Sequence, residues 1–153
     1  MKKKTKFVVE PFDDIRIIGI NTAMFDYQLA WNINKFLKLN LVKYKDITSD
    51  AENFFSFYIY DAGEHSNTFN LVALSNEETK WVSFSPQTDY LLIIRNYIKD
   101  SDFQSVLTKI KSIPKVIYAY SVDLAKNAKI DTILEDIEMH EMDIVDEMNK
   151  RLK

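Results

Sequence analysis

The chain predicts an α+β fold: a single mixed, mainly antiparallel sheet of about five to seven strands, with two helices on one face and a long C-terminal helix. Three observations lead there. Phe54–Ser75 reads as two apolar strands around a turn. Ile15–Tyr44 and Tyr90–Val122 each read as strand–helix–strand. From Ile130 onward the apolar residues recur at helical spacing.

The hairpin carries the most information. Phe54–Tyr60 is almost entirely aromatic or β-branched, which suits a pleated sheet. Ala62, Gly63, Ser66 and Asn67 supply turn chemistry, and Thr68–Ser75 returns. A sheet with one wet face alternates apolar and polar residues. These strands do not, so both faces are expected to be covered. Phe55, Phe57 and Ile59 share one side of the first strand, and Phe54, Tyr58 and Tyr60 the other. Phe69, Leu71 and Ala73 oppose Val72 and Leu74 on the second.

The remaining elements follow in order. Phe7–Val9 reads as a short edge strand and Ile15–Ile20 as a stronger one. Thr22 is the expected N-cap of a helix running to about Lys38, with Asp26 in its first turn, where a carboxylate suits the helix dipole. Phe25, Leu29, Ile33, Phe36 and Leu37 form its core stripe, and Tyr27, Trp31 and Asn34 a second stripe beside it. Leu41–Tyr44 reads as a strand, Lys45–Asn53 as a polar loop, and Lys80–Phe84 as another strand ended by Pro86. Tyr90–Tyr97 is a buried strand. Ser101 and Gln104 suggest a capping box opening a helix whose stripe is Phe103, Val106, Leu107, Ile110 and Ile113. Val116–Val122 is the last strand.

The terminal helix places Ile130, Leu134, Ile137, Ile144 and Met148 in one seam, broken only by Glu141, with Val145 and Leu152 widening it. It would be roughly 35 Å long at about 1.5 Å per residue, against a radius of gyration of about 15 Å for a globule of this size. It must therefore cross the whole domain or leave it. The organisation is a single domain over residues 1–130 and an acidic amphipathic helix over 131–153, either part of that domain or a dimer arm.

Composition narrows the function classes. With 153 residues, 46% hydrophobic and 28% charged, the chain is an ordinary one-domain globular protein. No apolar run approaches the roughly 20 residues of a membrane span, and the basic start lacks the apolar stretch of a secretory signal. The absence of cysteine fits a reducing cytoplasm. Net charge is −3, with eight acids against three bases after residue 130. An acidic protein without a basic face is a poor ligand for nucleic acid. The lysines at 2–4 and 6 read as a solvated terminus.

Short stretches resemble a known family. Ile17–Ile20 with Gly19, followed by Asp26, Tyr27, Leu29, Ala30, Trp31, Ile33 and Asn34, resembles the N-terminal half of the IPExxxVDY family of small bacterial proteins. Asp89-Tyr90 with Leu91–Ile94 resembles its naming motif and the next strand. Ile117–Tyr120 with Asp123 looks like its C-terminal segment. The likeness spans roughly residues 5–130. The chain departs from the motif at Val82-Ser83-Phe84, where the family has Ile-Pro-Glu, and at Thr88, where it has Val. The family has no assigned activity, so the resemblance implies a small cytoplasmic protein and names no reaction.

No residue set forms an evident catalytic centre. Two glycines, far apart, cannot make a phosphate-cradling loop, and there is no nucleophile elbow. Asp61, Glu64 and His65 read as a solvated turn. His140 with Asp136, Asp143 and Glu147 reads as a solvated helix face, not a metal site. No metal and no cofactor is expected.

The leading expectation is a non-catalytic interaction or regulatory module forming a homodimer. Tyr58, Tyr60, Val72 and Leu74, with parts of Trp81 and Tyr118, would make an aromatic platform covered by Ile137, Ile144 and Met148 of the terminal helix in cis or from a second subunit. Met139 and Met142 would keep that helix adaptable. The alternative is a small-molecule binder or enzyme with a pocket between the first helix and the sheet, using Tyr27, Trp31, Asp89 and Tyr90.

Overall fold

The structure, a computed structural model, describes residues 14–48, 53–61, 63, 66–76, 79–84, 86–127 and 129–151. Among these residues are six strands and three helices, in the order β1 (Arg16–Thr22), α1 (Asp26–Leu37), β2 (Val42–Thr48), β3 (Phe54–Asp61), β4 (Thr68–Ala73), β5 (Tyr90–Arg95), α2 (Asp100–Lys111), β6 (Val116–Ser121) and α3 (Lys129–Arg151), with a short 3-10 turn at Leu124–Lys126 before α3. The expected α+β class, with α1 and α2 on one face and a long final helix, is what forms. The edge strand expected at Phe7–Val9, Leu152, and the turn residues Ala62, Glu64 and His65 lie outside the described residues.

The strands run β2-β3-β4-β5-β1-β6, and every pairing is antiparallel. The sheet is thus not mixed. Each strand–helix–strand unit is split: β5 and β6 flank β1, and β1 and β2 stand three strands apart. Their crossovers never bring two parallel strands side by side, which is how helical connections coexist with a purely antiparallel ladder.

Alternation sends neighbouring side chains to two separate cores. Ile18, Ile20, Tyr58, Leu71, Leu92 and Ile94 meet Leu29 and Ile33 of α1 and Phe103, Leu107 and Ile110 of α2. On the other face Ile17, Phe55, Phe57, Val72, Leu74, Leu91 and Ile93 meet Ile130, Ile133, Ile137 and Ile144 of α3. Both faces are buried within one chain, as the unalternating pattern of the hairpin requires. The 23-residue α3 crosses the domain and does not leave it.

Several local expectations are corrected. No strand forms at Lys80–Phe84; only an isolated bridge joins Lys80 to Ser75. Both sides of β4 are taken by β3 and β5, so no ladder is open to this segment. It lies instead under the second core, Trp81 stacked 5.3 Å from Phe55. β2 continues through Thr48, with a bulge between Tyr44 and Ile47 absorbing Lys45 and Asp46. Thr22 belongs to β1; α1 starts after Phe25, whose N–H donates to the Gln28 side chain at 3.0 Å. α2 opens at Asp100 without a side-chain cap bond, not at a Ser101 capping box. Gly19 has a specific reason: a Cβ there would lie 2.6 Å from the Tyr120 ring.

Candidate functional site: an aromatic groove beside the first helix

The core stripe of α1 points inward, so its companion stripe is turned outward. Tyr27 and Trp31, one turn apart, are each 62% exposed, and Phe25 before the helix is 59% exposed. Phe25 and Tyr27 stack at 5.7 Å, and the Lys35 ammonium lies 5.1 Å over the Trp31 ring. Leu29, expected beside Phe25 in one core stripe, is fully buried while Phe25 is not; Phe25 precedes the helix and does not share its phase.

Next to these rings is an open groove of about 610 Å³, lined by Met24, Tyr27, Gln28, Trp31, Asn32, Pro114 and Lys115. Its two walls come from α1 and from the turn between α2 and β6. Topology brings them together, because β6 lies beside β1 and ends the sheet there. A polar lattice holds the walls. The Thr22 hydroxyl donates to the Lys115 carbonyl at 2.7 Å and accepts from the Met24 N–H at 3.2 Å. Lys115 adopts a positive φ of 76°, a backbone state costing a non-glycine residue about 1 kcal/mol or more.

Tyr27 and Trp31 line this groove, but it is not the pocket expected between the first helix and the sheet, a space that Leu29 and Ile33 fill with core. Asp89 and Tyr90 do not line the groove; they brace it from behind. The Asp89 carboxylate accepts from the Asn21 amide at 3.0 Å and the Thr22 N–H at 2.9 Å. The Tyr90 hydroxyl donates to the Met24 carbonyl at 2.8 Å. Burial, then the charges of Asp26 and Asp89, push the Tyr90 phenol well above its usual range, so it remains a donor. Gln28, Asn32, Pro114 and Lys115 were not anticipated. The first two follow Tyr27 and Trp31 at the same spacing, a legible signal; the other two are contiguous only in the fold.

Asp26 serves the scaffold. It accepts from the Tyr58 hydroxyl at 2.7 Å and lies 3.3 Å from the Lys43 ammonium. Burial opposes its ionisation, but hydrogen bonds from Tyr58 and Ser56 and the Lys43 charge together hold its carboxyl below the usual value. The Tyr58 phenol is pushed up by burial and by Asp26.

The expected aromatic platform does not form. Tyr58 opposes Leu71, and Phe57 opposes Val72, so Tyr58 and Tyr60 face α1 and α2 whereas Val72 and Leu74 face α3. Tyr58, Val72, Leu74, Ile137 and Ile144 are buried inside the chain, and Tyr60 and Met148 are partly buried against the two cores. α3 packs in cis and leaves no open platform at these positions.

α3 also brings two charged or titratable residues inward. Glu141, which interrupts the apolar seam, is buried with Arg95 and Asn70. The Arg95 guanidinium donates to both Glu141 oxygens at 3.0 and 2.9 Å, and the Asn70 amide donates to the same carboxylate at 3.0 Å. Burial raises the Glu141 carboxyl, with Arg95 and Asn70 opposing. His140 is not on a solvated face. Its ring packs edge-on to Phe57 at 4.9 Å, and its Nε2 is 2.8 Å from the Lys45 carbonyl. Burial holds it below its usual value. Among the described residues there is no cluster of three or more potential metal ligands, and no helix long and apolar enough to cross a membrane.

Set against protein-family models, curated proteins and solved structures, the chain shows no significant match to any.

Proposed function

We propose that this chain is a non-catalytic interaction module of the cytoplasm that binds a partner protein through the aromatic groove of α1. The observation carrying this reading is the exposure of Phe25, Tyr27 and Trp31 together at one lip of the groove. Large aromatics are costly to leave in water, and tryptophan and tyrosine are the residues that most often dominate binding energy at protein interfaces. The lining offers amides, a phenol and a lysine, which suits anchoring an apolar side chain and hydrogen-bonding its backbone. The two strongly shifted groups, Tyr58 and Tyr90, are both committed to scaffold contacts. The small-molecule reading keeps Tyr27 and Trp31 but has Asp89 and Tyr90 occupied behind the wall. The likeness to the IPExxxVDY family is compatible with the module reading, since Tyr27 and Trp31 fall in its most specific block.

Peptides selected from a displayed library against the full chain provide the test. In a Trp81→Phe background, Trp31 is the sole indole, and bound peptides should shift its emission. Tyr27→Ala and Trp31→Ala should each weaken binding at least about tenfold with the melting temperature unchanged. Peptides that bind both variants as well as the parent would overturn the groove as the site.

A further inference from the structure

The two edges of the sheet are not alike. β2 carries Lys43, Lys45 and Asp46, and Lys45 is tied to Glu147 of α3 at 2.9 Å. Charged side chains on an edge strand discourage pairing with another chain. β6 reads VIYAYS, without a charge in its six residues, and Ile117 is 70% exposed. Among the described residues β6 pairs with β1 alone. Both edges contain a pairing shift, so charge, not a bulge, separates them.

We propose that two copies of this chain pair β6 to β6 in antiparallel fashion about Ala119, joining their sheets. The backbone selects which residues meet. The Val122 N–H donates to the Ile17 carbonyl at 2.9 Å, and Gly19 and Tyr120 are paired in register. Antiparallel ladders alternate, so Val122 and Tyr120 point their backbone groups at β1, while Ala119 and Ser121 point theirs outward. A two-fold pairing must therefore set outward residues opposite one another. With Ala119 on the axis, Tyr118 meets the partner's Tyr120, and Ile117, the extra residue at the pairing shift, lies beside the partner's Ser121. The two exposed charges that flank the strand, Lys115 and Asp123, then come to the same end of the pairing, twice by symmetry: Lys115 lies past the pairing shift with a positive φ of 76°, so its long side chain, not the ladder, carries its charge toward the partner's Asp123. This goes beyond the groove reading and stands or falls without it.

Sedimentation velocity of the full chain over a concentration series tests the pairing. The expected result is a dimer weakened about tenfold by Lys115→Glu and by Asp123→Lys, which set like charges opposite, and restored in the double exchange K115E/D123K. Ile117→Lys, at an exposed position that the fold does not need, should leave monomer. A full chain that is monomeric throughout overturns the proposal. So does a dimer indifferent to these changes, or one dissociated by Trp31→Ala, which would assign the contact to the groove. Circular dichroism of each variant confirms that the fold persists, and loss of the groove's peptide binding alone leaves the sedimentation result intact.

Discussion

The two faces of the sheet are buried by different chemistry. Under α1 and α2 the centre is aliphatic and aromatic, built around Ile18, Leu71, Leu92 and Phe103. Its polar contacts, Tyr58 to Asp26 and Tyr90 to the Met24 carbonyl, lie where α1 begins. Under α3 an ion pair, Arg95 with Glu141, sits inside an otherwise apolar layer, with His140 beside it. The helices differ in what else holds them. α1 and α2 are each tied at both ends by a connection to a strand. Among the described residues α3 is connected to a strand at one end only, and its isoleucines recur at helical spacing, so apolar contact alone offers little resistance to a slip of one turn. Such a slip would leave Arg95 and Glu141 buried and apart, at a cost of several kcal/mol. The pair therefore specifies the register of α3, and apolar contact provides most of its adhesion.

The largest test of this contrast is Glu141→Ala. It removes the carboxylate that balances the Arg95 charge and accepts from the Asn70 amide in the core, and should cost about 3–5 kcal/mol by urea unfolding. Replacing both partners, as in Arg95→Met with Glu141→Leu, should restore much of that stability while amides of α3 exchange faster, because adhesion is kept and register is relaxed. If Glu141→Ala costs less than about 1 kcal/mol, the ion pair does not act as assigned.

On the opposite face, Tyr58→Phe removes one hydroxyl donor to Asp26 and leaves the ring in place. Lys43, Ser56 and water still serve the carboxylate, so the loss should be about 1–2 kcal/mol, smaller than that of Glu141→Ala. An equal or greater loss would move the specifying role to this face.

The smallest effect is a pH slope. The folded His140 resists protonation, whereas the unfolded chain takes up a proton near the usual 6.5. Its contribution to stability is therefore full above that pH and falls as the pH drops below it toward the folded value. Glu141 acts in the opposite sense: with its folded value raised above 4.5, its contribution is full below 4.5 and is lost as pH rises through the folded value. Asp26, lowered from 3.8, adds a loss only below that pH. Between about pH 6.5 and 5, His140→Gln should flatten the slope of unfolding free energy against pH. An unchanged slope would place His140 in water.

Much of the architecture was readable because it depends on local periodicity. The stripe Phe103, Leu107 and Ile110 marked the buried side of α2, and the unalternating hairpin announced two covered faces. Glu141 was visible as the break in its seam, but its partner Arg95 is 46 residues away inside an apolar run, where a strand pattern does not show which residue meets a helix. His140 was misjudged for the same reason: acidic neighbours along α3 suggested water, while Phe57 and the Lys45 carbonyl, both distant in sequence, receive the ring. The platform of Tyr58 with Val72 failed on register, since a shift of one residue exchanges every side chain between faces.

Of the groove, Tyr27 and Trp31 were legible as a second stripe on α1, and Pro114 and Lys115 were not. Side-chain spacing along one helix is set by its own backbone geometry, so residues alone determine the α+β class, most of the element order and the grouping of those two rings on one stripe. They do not determine that the stripe faces away from the sheet or that Lys80–Phe84 finds no ladder. Which strand lies beside β1, which turn of α3 rests over Arg95, and which loop closes the groove depend on contacts between segments far apart in the chain. Those were decided only when both faces of the sheet were packed at once.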